Sequence, residues 1–233
     1  NGKEIKKIMI DGKEFFADDP NIAMKNLPVN IIDKVRAYDK QSDLARVTGI
    51  DDGEEETVLD LSVKPGMNKG WFGNADVTAG TEDRYSGKVM LNRFIGENQF
   101  TVIGSMNNVN DNGYPGGGGG FRWGGQNGLT SIKMGGFNFS TQSEKLETGG
   151  SVNYNYKDAD IISKQASETF VSSATSSFKN AQNANRNKTT SLTADFRIEW
   201  KPDTMTTVIF RPRLTYGKND NRSATNSFTF SQD

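Results

Sequence analysis

Apolar and polar residues alternate strictly from Ser191 to Lys201. Leu192, Ala194, Phe196, Ile198 and Trp200 fall on one face of an extended segment, and Thr193, Asp195, Arg197, Glu199 and Lys201 fall on the other. Successive side chains of a strand point to opposite faces, so this segment has one wholly apolar face and one rich in charge. A strand with lipid on one side and a water-filled lumen on the other needs that division.

The same period recurs from Trp71 onward. Trp71, Gly73, Ala75, Val77 and Ala79 share a face against Asn74, Asp76 and Thr78, and Tyr85, Val89 and Leu91 oppose Arg84, Lys88 and Asn92. Phe100, Val102 and Met106 mark a third strand, and Val152, Tyr154 and Tyr156 oppose Ser151, Asn153, Asn155 and Lys157. From Leu129 to Thr141, Ile132 and Met134 are out of phase with Phe137 and Phe139, and Gly135-Gly136 between them predicts a bulge. From Thr204 to Tyr216, Val208, Phe210, Leu214 and Tyr216 oppose Thr207, Ile209, Arg211 and Arg213, with Pro212 at a position that needs no ladder donor.

Connections alternate in length. Ile95 to Glu97, Gln142 to Glu144 and Lys201 to Asp203 read as tight turns, whereas Asn108 to Gly128 and Asp158 to Lys188 read as long polar loops, the second mobile. Short turns at one rim and long loops at the other are the pattern of an outer-membrane barrel. Trp71, Phe94 and Trp200 then fall near the turn-bearing rim as an aromatic girdle, and Tyr156 and Tyr216 near the opposite rim. A soluble β-sandwich also alternates. Strands of up to about 13 residues favour the membrane barrel over the roughly 5 to 6 of soluble sheets.

Residues 1–65 differ in character. Glu4 to Ile10 reads as a strand entering an Asp11-Gly12 hairpin turn, with Lys13 to Phe16 as the return. Asp19-Pro20 opens a short helix with Ile22, Ala23 and Leu27 inward, ended by Pro28. Ile31 to Tyr38 and Thr57 to Val63 read as further strands, giving a small α+β unit. The fold class is therefore mainly β: an antiparallel transmembrane β-barrel segment of about 7–8 strands of a larger barrel (70–233), preceded by a small α+β plug-like domain (1–65).

Composition sharpens this reading by exclusion. With a formal net charge of −1, the chain gives no electrostatic reason to expect nucleic acid as a partner. Mean hydropathy is −0.67, and no run approaches the roughly 20 apolar residues of a spanning helix. Without cysteine or histidine there are no disulfides, no thiolate metal sites and no imidazole base. No compact nucleophilic set stands out, so neither an enzyme nor a cofactor is expected. Asn1-Gly2-Lys3 and Ser231-Gln232-Asp233 read as the ends of a fragment.

Lys7-Ile8-Met9-Ile10-Asp11-Gly12-Lys13-Glu14-Phe15-Phe16 resembles the plug-domain hairpin of TonB-dependent outer-membrane receptors. Ile31-Ile32-Asp33-Lys34-Val35-Arg36-Ala37-Tyr38 is similar to a later plug strand. Thr48 to Gly53, running on to Thr57-Val58-Leu59-Asp60-Leu61, is similar to the stretch leading out of the plug. The resemblance implies a barrel of about 22 strands housing the plug, in the cell outer membrane of a Gram-negative bacterium. It implies outer-membrane lipid, an unknown ligand and the TonB energy-transducing complex as partners, the last through an N-terminal part that this sequence lacks. It also implies import of the ligand through the plugged barrel. The alternatives are a non-transporting structural or adhesive outer-membrane barrel and a soluble periplasmic β-sandwich binding protein.

Candidate ligand contacts lie in the glycine-rich stretch, where Tyr114, Phe121, Arg122 and Trp123 flank Pro115 to Gly120. That stretch lacks the Lys-Ser/Thr ending of a P-loop. Asp51, Asp52, Glu54, Glu55 and Glu56 do not match an EF-hand and read as a solvated turn, so no metal site is expected. Asp195, Arg197, Glu199, Arg211 and Arg213 read as lumen-facing polar residues that form cross-strand ion pairs or contacts to the plug.

Overall fold

The computed structural model describes residues 5–16, 27, 29–110, 128–170 and 176–232. The short helix expected from Asp19-Pro20 and the candidate contacts Tyr114, Phe121, Arg122 and Trp123 lie outside the described residues. The protein is mainly β, built as two sheets.

The smaller sheet holds β1 (Lys7–Ile10), β2 (Lys13–Glu14), β3 (Ile32–Gln41) and β4 (Glu55–Val63), in the order β2-β1-β4-β3. Asp11 and Gly12 both take positive φ, the backbone that a two-residue hairpin turn requires. Asp60 of β4 fixes this turn, accepting a hydrogen bond from Gly12 N at 3.0 Å. β1 runs parallel to β4, with Ile8 opposite Leu59, and β3 runs antiparallel to it. Between β3 and β4 lies α1 (Asp43–Thr48), a six-residue helix capped at its start by the Ser42 side chain and ended by Gly49 at φ 69°.

The larger sheet is an antiparallel meander of β5 (Lys69–Ala79), β6 (Tyr85–Ile95), β7 (Asn98–Asn107), β8 (Leu129–Gln142), β9 (Leu146–Phe170) and β10 (Ser176–Trp200). β11 (Val208–Phe210) and β12 (Arg213–Gln232) both pair with β10. Ile198 faces Phe210 and Asp195 faces Arg213, so the register is the same on either side of Pro212. The interruption is the missing proline donor, and the Pro212 carbonyl still accepts from Phe196 N at 3.0 Å. Among the described residues β5 and β12 do not pair, and the sheet is open.

Three sequence expectations are corrected. Asp158 to Lys188 is not a long mobile loop: β9 and β10 are 25 residues each and pair without a break from Trp200–Leu146 to Ser176–Phe170. Gly135-Gly136 is not a bulge, because β8 keeps register with both β7 and β9 there. Gly136 is small for a different reason: a Cβ on it would lie 2.7 Å from the Ile103 side chain. Phe94 is not part of an outward girdle. It shares the inward phase of Met90 and Asn92, is buried, and packs edge-on against Phe72.

The polarity of the large sheet is inverted relative to a water-soluble sheet. On β7 the exposed side chains are Phe100, Val102 and Met106, while Gln99, Thr101, Ser105 and Asn107 are buried. Leu91, Val89, Trp71, Phe210 and Leu214 likewise face outward. The inward face packs on the small sheet, where Ile8, Ile10, Phe15 and Phe16 meet Met90, Phe94 and Ile103 in one core.

Candidate functional site

The inward face of the large sheet meets the small sheet along a polar seam, and most of the charged residues singled out in the sequence lie on it. β10 contributes Arg197 and Glu199, which stand at i and i+2 and so project from the same face. Arg211, opposite Arg197 in the shared register, comes from the segment between β11 and β12. α1 presents Asp43 and Arg46, one helical turn apart, toward them. The Ser42 cap orients that turn, its hydroxyl accepting from Ala45 N at 3.0 Å.

The contacts form one network. Arg46 grips Glu199 with both terminal nitrogens, at 3.1 and 2.8 Å. Glu199 also receives Lys201 at 2.9 Å and pairs with Arg197. Arg197 reaches Glu147 of β9 at 2.8 Å and Asp43 at 3.4 Å. Arg211 bridges two elements of the small unit, meeting Glu14 and Asp43 at 2.9 Å each. Glu199 is 2% exposed, so its charge is compensated by partners rather than by water.

Electrostatics follow from this geometry. Burial pushes the Asp43 carboxyl up, but the guanidinium groups of Arg211 and Arg197 outweigh it and hold the group below the usual carboxylate range. Glu14 behaves alike: burial raises it, and Lys7 and Arg211 bring it below its ordinary value.

Further contacts extend the seam. Phe16 N donates to Asn138 Oδ1 at 3.0 Å, Gln99 Nε2 donates to the Ile10 carbonyl at 3.4 Å, and Lys13 forms an ion pair with Glu97 at 2.6 Å. Beside them lies a cavity of about 20 Å³ lined in part by Glu14, Asn138, Ser151, Asp195 and Arg197, room for about one water molecule. Asn138 Nδ2, Ser151 Oγ and Arg197 Nε are buried without a hydrogen-bond partner among the described residues.

Arg197, Glu199 and Arg211 are thus brought together, Asp195 lines the neighbouring cavity, and Arg213 stands opposite Asp195. Asp43, Arg46, Glu14 and Asn138 were not singled out in the sequence. The one local signal was Ser42-Asp43, which has the form of a helix start. The acidic run 51–56 makes local contacts such as Ser42 to Asp52, and Glu56 pairs with Lys7 at 2.6 Å. Among the described residues no cluster of acidic side chains has the arrangement of a metal site.

Comparison with protein-family models, with curated proteins and with solved structures finds no match.

Proposed function

We propose that this chain is part of a TonB-dependent-receptor-like outer-membrane protein that imports a ligand through a barrel occluded by a plug. In this reading the large sheet is a sector of the barrel wall and the small sheet is part of the plug. One observation carries it: in the lower part of the sheet the outward face is apolar and most of the polar side chains lie on the buried inward face, with Val102 48% exposed and Thr101 beside it fully buried. Water penalises that arrangement and a hydrocarbon surround favours it. No described helix is long and apolar enough to cross a membrane.

The seam supplies the mechanism. The small sheet is held to the wall by charged and polar contacts as well as by the apolar core of Ile8, Ile10, Phe15 and Phe16 against Met90, Phe94 and Ile103. The ion pairs and hydrogen bonds exchange for water at modest net cost, whereas parting the core exposes apolar area that a pull has to work against. A pull on the small sheet transmitted from the inner membrane would release the Arg46, Asp43 and Glu14 contacts and leave a hydrophilic inward face as the path. A ligand bound at the outer end would bias that release.

Quenching of tryptophan fluorescence by brominated lipids tests the membrane reading. Trp71 and Trp200 both face outward and are largely exposed. The expected result is strong quenching in bilayers that is lost in Trp71→Leu/Trp200→Leu. A soluble product with unquenched tryptophans would favour the periplasmic β-sandwich instead.

A further inference from the structure

β9, β10 and β12 outrun the rest of the sheet. Among the described residues β8 follows β9 only as far as Asp160, and beyond it β9, β10 and β12 continue as a three-stranded blade. A spanning strand needs roughly 9–11 residues, so much of these three strands extends past a bilayer. Neither ladder shifts register, so the two faces established at Arg197 and Glu199 persist to the tip.

Along the blade the chemistry of both faces changes. The outward face, apolar lower down, becomes charged, with Asp160, Lys164, Arg186, Lys188, Asp220 and Arg222. The inward face, dense in charge at the seam, becomes almost charge-free: among its described residues above Lys157, Lys179 is the one ionised group. In its place stands a ladder of amides and hydroxyls. Asn183 faces Thr225, Asn185 faces Ser223, Asn187 faces Asn221, and Thr189 faces Asn219 and donates to it at 3.5 Å.

A wall wetted only by water has no need to exclude charge, and these same strands carry charges freely on the other face. Exclusion on one face alone is a selection. We infer that the inward face of the blade binds a neutral, hydroxyl-rich ligand of the oligosaccharide class, an inference that rests on the barrel reading, which makes this face the outer wall of the lumen. An asparagine amide offers a donor and an acceptor side by side, matching neighbouring hydroxyls of a sugar ring. Among the described residues of this face a charged ligand would find no counter-charge above Lys157 except Lys179, and an apolar one would leave the amides unpaired.

The test is titration calorimetry of the full chain in detergent with maltoheptaose, cellohexaose, xylohexaose and mannohexaose, against hexagalacturonate, a chitosan hexamer and pentaalanine. The expected result is that at least one neutral oligosaccharide binds with a sub-millimolar Kd and the charged oligomers bind at least tenfold more weakly. Asn187→Asp/Asn221→Asp should weaken the neutral sugar at least tenfold, while Asp220→Asn on the outward face leaves it unchanged. Circular dichroism of each variant confirms that the sheet is retained. Absence of neutral-sugar binding, tighter binding of a charged oligomer or of the peptide, or indifference to the asparagine substitutions would overturn it. Heat-modifiable gel mobility on the same samples reports membrane-type insertion separately. Inserted protein that binds no neutral sugar defeats this inference alone, and sugar-binding protein that never inserts defeats the barrel reading alone.

Discussion

Arg46 and Glu199 stand 153 residues apart in the chain and meet as a two-pronged ion pair, guanidinium nitrogens to carboxylate oxygens at 3.1 and 2.8 Å. The pair joins α1, between β3 and β4 of the small sheet, to β10 of the large one. Planar, bidentate pairing of this kind is geometrically selective, and lysine cannot reproduce it.

Arg46→Ala leaves Glu199 with Lys201 and Arg197, so the loss is cushioned at about 1–2 kcal/mol, whereas Glu199→Ala strands several cations at once and costs about 3 kcal/mol or more. Double-mutant cycles by denaturant unfolding should give a coupling of at least about 1 kcal/mol between Arg46 and Glu199. Additive losses would mean that the pair does not hold the sheets together. Arg46→Lys should recover less than half of the loss.

Acid should loosen the seam in a defined window. Asp43 and Glu14 both titrate below their ordinary values in the folded protein. A carboxylate depressed on folding contributes stability above its unfolded pKa of about 4, and that contribution disappears as pH falls through the lower folded value. Protection of the small sheet from proteolysis is therefore expected to be flat from pH 7 to about 5 and to fall below about 4. Arg211→Gln removes a counter-charge from both groups, so the fall should move to higher pH. An unchanged acid profile in that variant would disconnect Arg211 from the seam.

Much of this architecture was legible because apolar and polar residues alternate with a period of two wherever one face of a strand differs chemically from the other. That contrast located β5, β6, β7 and the lower half of β10, and Asp11-Gly12 located the hairpin. It failed where both faces are polar. Around Asn183, Asn185 and Asn187 the intervening Ala184 and Arg186 supply no apolar stripe, so period-two order is invisible and the segment reads as loop. Pairing with β9 and β12 on both sides supplies the strand that local pattern could not. Phe94 misled because aromatic character alone does not fix a face; the phase it shares with Met90 and Asn92 does. Asp43 and Arg46 were silent because their partners lie far along the chain.

Glycines at strand crossings offer a local test of the register. A Cβ on Gly150 would come within 2.4 Å of the Phe196 ring and 2.7 Å of the Asp195 carbonyl, whereas one on Gly135 would meet nothing within 4 Å. Gly150 and Phe196 stand directly opposite each other, so the ring lies over the space the glycine leaves. Gly150→Ala should cost about 1–3 kcal/mol by overpacking, and Gly135→Ala should be neutral or slightly stabilising. Denaturant midpoints that rank the two variants the other way would contradict this register.

The outward face provides the sharpest separation between water and lipid as its surroundings. Val102 projects from the middle of β7 and is half exposed, with Leu91 directly opposite it on β6 and Phe137 on β8. On a water-facing sheet, Val102→Arg replaces an exposed apolar group with a solvated charge, and surface substitutions of that kind stay within about 0.5 kcal/mol. On a lipid-facing sheet the same guanidinium sits near the bilayer midplane at a cost of about 2–4 kcal/mol. Thr101→Val on the adjacent inward position reverses the logic: it leaves Asn92 Oδ1 without the donor that Thr101 supplies at 2.7 Å. It should therefore destabilise the protein in either surrounding. Refolding yield into vesicles is the measurement, with both variants compared in water and in bilayers. Loss of insertion for Val102→Arg at the bilayer midplane, together with a uniform penalty for Thr101→Val, is the expected pair. Equal tolerance of Val102→Arg in bilayers and in water would place this face against water and remove the chief physical support for a barrel wall.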